Sequence, residues 1–189
     1  QVNFDSGFEG SPMCCHNIEN VNSVTESLKG VAKCPYSPQA NVTALMTSNG
    51  QYYAGSPMDF CGADPTISCS LSGMTIRTKQ FGSKWLNEPQ FVGSFETSTF
   101  VYFLFRESAV KYINCGKIIY SHIARVCKND RGGHLMLKDN WTTFLKAHLN
   151  CSIPGEFPFY FDEIQGMSYV ESENMVYATF TTPSNFITF

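Results

Sequence analysis

Lys117-Ile-Ile-Tyr-Ser-His-Ile-Ala-Arg-Val-Cys127 is the stretch that decides the fold class. It is long, rich in β-branched residues and free of proline and glycine, which is typical of a β-strand. Two apolar runs before it, residues 91–95 and 100–105, are separated only by residues 96–99 and predict a hairpin. The middle of the chain is therefore predicted to be β-structure.

Further segments extend this pattern in both directions. Asn49-Gly50 lies between the runs 43–48 and 51–54 and predicts a hairpin, because a type I′ turn needs a positive φ twice. The remaining predicted strands are residues 142–149, 157–164 and 175–182. The first of these also fits a helix, but its threonines favour a strand. One weak helix is predicted at residues 20–29.

The order of these elements indicates an all-β chain. Short strands separated by turns, without alternating helices, are typical of a sandwich, a barrel or a propeller. An apolar strand ending near Ala54 is echoed at residues 100–105 and again at 175–180. This irregular repeat is compatible with propeller blades that carry insertions.

Composition excludes several classes of protein. The chain has 189 residues, about one domain, and a net charge of -3, which argues against a nucleic-acid or anionic-membrane surface. Its 43% of hydrophobic residues is enough for a core and argues against disorder. It contains no apolar run of about 18 residues, so no membrane-spanning segment is predicted. The start, Gln1-Val-Asn-Phe4, has neither an initiator methionine nor a signal segment, which predicts a processed or truncated beginning.

Eight cysteines and three N-glycosylation sequons favour an extracellular protein. The cysteines form no Cys-x-x-Cys pair, so a zinc ribbon or a thioredoxin motif is a poor interpretation. Of the sequon residues Asn41, Asn140 and Asn150, the first precedes a strand and is predicted to carry a glycan. Asn150 is predicted to lie in an apolar strand and to remain unmodified. A cytosolic protein with buried free thiols is the alternative.

Local disulfides are predicted from the spacing of the cysteines. The candidates for local disulfide formation are Cys14, Cys15, Cys34, Cys61 and Cys69. Cys34 is predicted to bridge to Cys14 or Cys15 across a polar loop, which would stabilise the fold by roughly 3 kcal/mol. A turn between Cys61 and Cys69 would bring them to the ~5.5 Å Cα separation that a bridge prefers.

The sequence shows no catalytic or metal-binding arrangement. The four histidines are His16, His122, His134 and His148, and they share no metal-ligand spacing. Asp59 with Asp64, and Asp162 with Glu163, are carboxylate pairs of the kind that a glycosidase uses, but nothing in the sequence sets their separation. The sequence therefore predicts no enzyme and no cofactor.

The segments Ala124-Arg-Val-Cys-Lys-Asn-Asp-Arg-Gly-Gly133 and Trp141-Thr-Thr-Phe-Leu-Lys-Ala-His-Leu-Asn-Cys151 closely resemble the semaphorin family. The Lys-Asn-Asp-x-Gly-Gly and Trp-Thr-Thr-Phe-Leu-Lys-Ala runs distinguish semaphorins from the sema domains of plexins and of hepatocyte-growth-factor-type receptors. Cys34-Pro-Tyr-Ser-Pro38 and Ser83-Lys-Trp-Leu-Asn-Glu-Pro-Gln-Phe-Val92 match the same family. The resemblance is dense over residues 34–185 and is greatest to invertebrate semaphorins, both secreted and membrane-anchored.

This resemblance implies a partial β-propeller. A sema domain is a propeller of seven blades, and residues 1–189 resemble about its first four. Residues 1–33 match the first-blade region weakly, and residues 34–189 correspond to the second to fourth blades, the last of them incomplete. The chain is therefore expected to be a fragment or a truncated product. By the same resemblance, Cys127 and Cys151 pair with cysteines further downstream.

Several residues depart from the family pattern. Asp5 stands where the family usually has a first-blade cysteine. Cys61 and Cys69 occupy positions that usually carry other residues, and His122 and His148 stand where arginine is common. These departures are expected of a divergent member with rewired local disulfides.

The resemblance also implies a function, that of an extracellular guidance ligand, secreted or on the cell surface, whose propeller docks onto a plexin-type receptor. A homodimer of the full-length parent would bring two receptors together. No cofactor is implied. Two alternatives are a secreted propeller-type glycan hydrolase and a non-signalling decoy fragment that binds without dimerising.

Receptor contacts in this family resemble an edge-on docking through loops and outer strands of the third and fourth blades. The predicted contact residues in this chain are Gly93, Ser94, Glu96, Thr97, Arg131 and His134. Within the loop at residues 128–134, Asn129 and Asp130 are predicted to cap the turn, and Gly132-Gly133 to supply positive φ angles.

Overall fold

The computed structural model describes residues 2–4, 13–16, 24–28, 30–37, 39–71, 74–109 and 118–182, the first three segments only as paired strands. The described residues form fifteen β-strands and two short 3-10 turns, at Leu135–Leu137 and Glu171–Glu173. The strands are β1 (Val2–Phe4), β2 (Met13–His16), β3 (Val24–Leu28), β4 (Thr43–Met46), β5 (Tyr52–Pro57), β6 (Pro65–Leu71), β7 (Met74–Arg77), β8 (Gln90–Glu96), β9 (Phe100–Ser108), β10 (Ile119–Cys127), β11 (Leu145–His148), β12 (Ser152–Ile153), β13 (Phe159–Tyr160), β14 (Glu163–Val170) and β15 (Met175–Thr181).

Each sheet is built from strands that follow one another along the chain. Strands β1 to β3 form a three-stranded sheet, and β4 to β7 and β8 to β11 form two four-stranded sheets. Strands β12 with β13 and β14 with β15 form two-stranded sheets. Every pairing is antiparallel, so each sheet is a local up-and-down meander. This order confirms the all-β prediction.

The hairpin predicted at Asn49-Gly50 is present, but its turn differs from the expected type. Strands β4 and β5 pair with Met46 opposite Tyr52. Gly50 has a positive φ of 79°, whereas Asn49 does not, so the turn is not type I′. The hydroxyl of Thr47 donates to the Asn49 Oδ1 at 2.6 Å, and the Gly50 N–H donates to the Thr47 carbonyl at 2.9 Å. The result is a three-residue loop that ends in a left-handed glycine.

Most other predicted strands are confirmed, but residues 157–164 divide between β13 and β14, and the one predicted helix is wrong. Strands β8, β9 and β10 lie where the apolar runs placed them, and β11 confirms the strand interpretation of residues 142–149. The described part of residues 20–29 is instead strand β3, which pairs with β2. Val24 and Thr25 are β-branched, and pairing to a neighbouring strand outweighs the weak helical pattern.

Strand β9 is buried on both faces and joins two cores. Its residues Val101, Phe103 and Phe105 are fully buried in a cluster with side chains of β5, β6 and β7. Leu104, pointing the other way, packs with Phe95 and Ile164 of β14. Because fully burying such side chains contributes about 1.5–3 kcal/mol each, this strand holds neighbouring sheets together.

Trp141 fastens the loop after β10 to the sheet of β4 to β7. Its indole N–H donates to the Ile67 carbonyl at 2.8 Å, and its ring stacks on Tyr53 with centroids 6.1 Å apart. Its backbone N–H donates to the Arg77 carbonyl at 3.0 Å, and the Arg77 N–H donates to the Asp139 carbonyl at 3.0 Å. The loop thus extends the edge strand β7.

The predicted Cys61–Cys69 disulfide is not formed. Cys61 is an exposed thiol, while Cys69 is buried in β6 in the same cluster as Tyr53. A bridge between them fails because Cys69 faces the core from the middle of a strand. Burial raises the pKa of the Cys69 thiol to about 11. Cys34 is a free thiol packed with Tyr52 and Ala54. The side chains of Cys14 and Cys15 lie outside what the structure describes, as does all of Cys115.

Strand β15 leaves apolar side chains on the surface. Met175, Val176 and Tyr177 are all exposed, and within the described residues β15 pairs only with β14. Phe180, on the same strand, packs against Ile164 instead. An unpaired strand edge with apolar side chains is a template for association.

We expect the isolated 189-residue chain to self-associate through β15. Val176→Lys should reduce the association, because a charge on an exposed edge opposes strand addition. Sedimentation velocity of the two forms measures this, with Lys79→Glu as an exposed control away from the strand. If the unsubstituted 189-residue chain is monomeric and unfolds in a cooperative thermal transition, the expectation is contradicted.

Candidate functional site

The loop that follows β10 is built around the carboxylate of Asp130. This side chain is buried and accepts five hydrogen bonds. The donors are the N–H and hydroxyl of Thr142, the N–H and hydroxyl of Thr143, and the N–H of Gly132, at 2.7–3.0 Å. Burial alone would raise the pKa of Asp130, but the bonds from Thr143, Gly132 and Thr142 outweigh it and lower the pKa.

The two glycines of this loop serve different purposes. Gly132 has a φ of 79°, as predicted. Gly133 has no positive φ, which corrects the prediction, but a Cβ placed there would lie 2.5 Å from the Cβ of Leu137. Gly133 is therefore needed for close approach of the chain to itself.

Beyond this rigid base, the tip of the loop is exposed. Arg131 and His134 both face solvent, as the sequence predicted for free side chains. Leu135 and Met136 are 92% and 94% exposed, and Leu135 has a left-handed φ of 54°. Exposed apolar side chains held on a strained, anchored turn are typical of a contact surface. We call residues 131–137 the loop tip.

Leu135 and Met136 were missed by sequence reasoning. Their signal was available, since an apolar triplet that follows two glycines and a histidine does not fit a strand. Apolar residues that a turn leaves exposed indicate a surface that contacts another molecule.

Glu96 is not a free contact residue. Its carboxylate forms an ion pair with the buried Lys128 and accepts a hydrogen bond from the Ser48 N–H at 2.8 Å. These contacts lower the pKa of Glu96 against the opposing effect of partial burial. Glu96 therefore links the β8–β9 hairpin to the β4–β5 hairpin.

Gly93 and Ser94 lie between strands rather than at the surface. A Cβ on Gly93 would lie 2.7 Å from Met167 of β14. The hydroxyls of Ser94 and Thr43 of β4 are 2.8 Å apart. Gly93 and Ser94 thus pack against β14 and β4, and a receptor contact at these two residues stays a prediction.

Thr97 closes the β8–β9 hairpin. Its N–H donates to the Phe100 carbonyl at 2.9 Å, and its hydroxyl accepts from the Phe100 N–H at 3.3 Å. Thr97 lines a cavity of about 660 Å³ together with Glu96 and Lys128. The Glu96–Lys128 ion pair joins this hairpin to the first residue of the loop after β10, and the hydrogen bonds of Thr97 close the hairpin turn.

The carboxylates considered for a glycosidase have structural tasks. Asp59 accepts hydrogen bonds from the N–H groups of Ala63 and Asp64, at 3.0 and 2.8 Å. Asp64 forms an ion pair with Arg77 at 2.6 Å. Both carboxylates are thus committed within the fold, and this pair offers no geometry for glycoside hydrolysis.

The three sequons lie in different surroundings. Asn41 is exposed, and its amide donates to Gln90 at 2.7 Å across the surface. Asn140 donates to the Lys138 carbonyl at 2.8 Å and precedes the buried Trp141. Asn150 is exposed in the connection between β11 and β12, which corrects its predicted place within an apolar strand.

Comparison with known proteins places these features in a family. No protein-family model matches the chain. The chain is 55% identical over 181 residues to Semaphorin 5c of Drosophila melanogaster and 50% identical over 179 residues to Semaphorin-5A of Mus musculus. The alignments cover 93% and 94% of this chain and 16% of each relative. The chain therefore spans about a sixth of the length of these curated relatives.

Comparison with solved structures also returns semaphorins. The structure of Drosophila Plexin A in complex with Semaphorin 1b matches with a TM-score of 0.81 at 45% identity, over 93% of this chain and 34% of that one. The extracellular domains 1-2 of Drosophila Semaphorin 1b match with a TM-score of 0.80, again at 45% identity, 93% and 34%. Meandering antiparallel sheets with these neighbours define a partial β-propeller of the sema class. The chain belongs to the semaphorin family.

Among the residues that the structure describes, no helix has the length and apolar character needed to cross a membrane.

Asp130→Asn should destabilise the protein by about 2–3 kcal/mol. The amide nitrogen cannot accept the hydrogen bonds of Thr142 and Thr143, so the buried side chain at position 130 loses the bonds that close the loop. Asp139→Asn, at an exposed residue of the same loop, should change stability by less than about 0.5 kcal/mol. Urea denaturation of both variants measures the difference. Equal stability of the two variants would show that Asp130 does not hold the loop.

Proposed function

We propose that this chain is part of an extracellular signalling ligand that binds a plexin-type receptor through its sema propeller. One observation carries the proposal: the fold matches a semaphorin that was solved in complex with a plexin, at 45% identity over nearly the whole chain. Semaphorin relatives at 49–55% identity give no support to the glycan-hydrolase alternative.

We place the receptor contact at the loop tip. The carboxylate of Asp130 and the indole of Trp141 hold its base, so little ordering entropy is lost on binding. Leu135 and Met136 supply apolar anchors, and Arg131 supplies a charge at the rim. His134, exposed beside them, completes the surface.

Signalling would require two receptors to be brought together. In the proposal, a homodimer of the parent protein supplies this by bivalent binding. A chain that binds the receptor but stays monomeric would act as a decoy instead. The oligomeric state of the bound ligand distinguishes these two roles.

Charge reversal at the rim should slow receptor binding. Arg131→Glu, made in the longest natural protein that contains this chain, should lower the association rate by up to about tenfold, with a smaller effect at high salt. Lys79→Glu, on a different exposed loop, is the matched control. Glu96 is unsuitable, because reversing it would break the ion pair with Lys128. Surface plasmon resonance with a plexin A ectodomain measures both rates.

Truncation of the apolar anchor should act on dissociation. Met136→Ser should raise the dissociation rate about fivefold or more, since central apolar anchors contribute over about 1 kcal/mol. Its 94% exposure makes a folding defect an inadequate explanation. If Arg131→Glu and Met136→Ser both bind at parental rates, the contact lies elsewhere on the propeller.

An extracellular protein should carry glycans where the fold leaves room for them. Asn41 and Asn150 are exposed, so both are expected to be modified, whereas Asn140 is half-buried and precedes the buried Trp141. Enzymatic deglycosylation of the secreted protein, followed by mass spectrometry, identifies each modified asparagine by its conversion to aspartate. Modification at Asn140 alone would contradict this ranking.

A further inference from the structure

One end of the β9–β10–β11 sheet holds a cluster of ionisable side chains that the receptor contact does not use. Glu107 lies on β9, His122 on β10, and Lys146 and His148 on β11. Glu107 is buried, and its carboxylate accepts hydrogen bonds from the Lys146 ammonium and, at 2.9 Å, from the Asn87 N–H. The carboxylate and the ammonium balance each other's charge.

His122 lies against this pair without a complete set of partners. Its Nδ1 is 3.4 Å from Glu107 Oε1 but forms no hydrogen bond. Within the described part of the chain, it is the one buried side-chain N or O atom that lacks a hydrogen-bond partner. The ring is held between Phe105 and His148, with centroids 6.0 and 5.5 Å away. A buried polar atom left this way costs free energy, so its retention calls for an explanation.

The charges around His122 favour its neutral form. Lys146 and His148 face it from β11, and Lys84, on the loop after β7, lines the same cavity of about 560 Å³. Tyr120, on β10 itself, contacts the His148 ring edge-on, with centroids 4.8 Å apart. Glu107 is the only carboxylate among the residues lining this cavity, and Lys146 already neutralises it. Further protons therefore create an excess of positive charge.

We propose that this cluster is a proton-sensitive latch that holds β11 onto β10 at neutral pH and loosens when His122 is protonated. The two histidines are directly opposite each other in the antiparallel register. A proton on His122 would add a positive charge beside Lys146 of the facing strand, and repulsion between like charges on paired strands opposes their pairing. Strand β11 is the edge of this sheet, so it is the strand that would detach.

The direction of the pH effect follows from the state of His122. Burial, then Lys146 and His148, lowers its pKa from 6.5 to about 4. The unfolded strand takes up the proton near pH 6.5 and the folded strand only near pH 4. The stabilisation is therefore present above about pH 6.5 and is lost as the pH falls towards 4. Burial raises the pKa of Glu107, and this shift makes the fold more stable as the pH falls, opposite to the effect of His122. Histidine variants are therefore needed to separate the two contributions to the pH dependence.

Hydrogen–deuterium exchange at pH 7.4 and 5.5, corrected for intrinsic exchange, tests the latch in the longest natural protein that contains this chain. The opening equilibrium of β11 amides should increase on the order of tenfold at the lower pH. Amides of the β8–β9 hairpin should show no such change. His122→Gln should remove the pH dependence, whereas the exposed His134→Gln should preserve it.

Two results would overturn the proposal. Unchanged protection of β11 between the two pH values would show that the histidines are not coupled to strand pairing. Increased protection at pH 5.5 would show that a protonated His122 pairs with Glu107 and tightens the sheet. If His122→Gln does not fold, His148→Gln, at an exposed position, must reduce the pH dependence or the proposal fails.

Discussion

The hydrogen bonds to the Asp130 carboxylate are the constraint on which the functional surface depends. One carboxylate satisfies donors from Gly132, Thr142 and Thr143, and so closes the loop after β10 on itself. Trp141 then fixes the closed loop to the neighbouring sheet through the Ile67 carbonyl. Because the base is over-determined, the tip can hold exposed apolar side chains and a strained backbone without collapsing onto the fold.

The β8–β9 hairpin, which the sequence predicts to contact the receptor, is also held by contacts within the fold. Glu96 and Lys128 form an ion pair across two hairpins, and Ser94 and Gly93 are packed between strands. These residues keep β8 in place between its neighbours. We therefore centre the proposed receptor contact on the loop tip rather than on this hairpin.

Much of the fold could be predicted from sequence because its strands are long and apolar. Strand β9 alternates Val101, Phe103 and Phe105 with residues that pack on the other side, and such a run leaves little room for another structure. Strand β6 was missed, since it buries threonine and serine as well as Ile67, and a polar composition conceals a core strand.

The site was harder to predict than the fold. Side-chain hydrogen bonds between distant residues, such as Asp130 with Thr143, leave no periodic signal. Whether Glu96 is free depends on Lys128, which lies in another part of the chain. The exposure of Met136 likewise could not be predicted, because it depends on the path that Gly132 and Gly133 give to the loop backbone.

The central claim is that a rigidly based loop tip presents this semaphorin segment to a plexin. Hydrogen–deuterium exchange of residues 131–137, in the longest natural protein that contains this chain and with a plexin A ectodomain present in excess, tests it most directly. The account predicts protection of the tip on binding, with the base at Asp130 and Trp141 already protected in the free protein. Receptor binding that leaves the tip unprotected while protecting another face would contradict it.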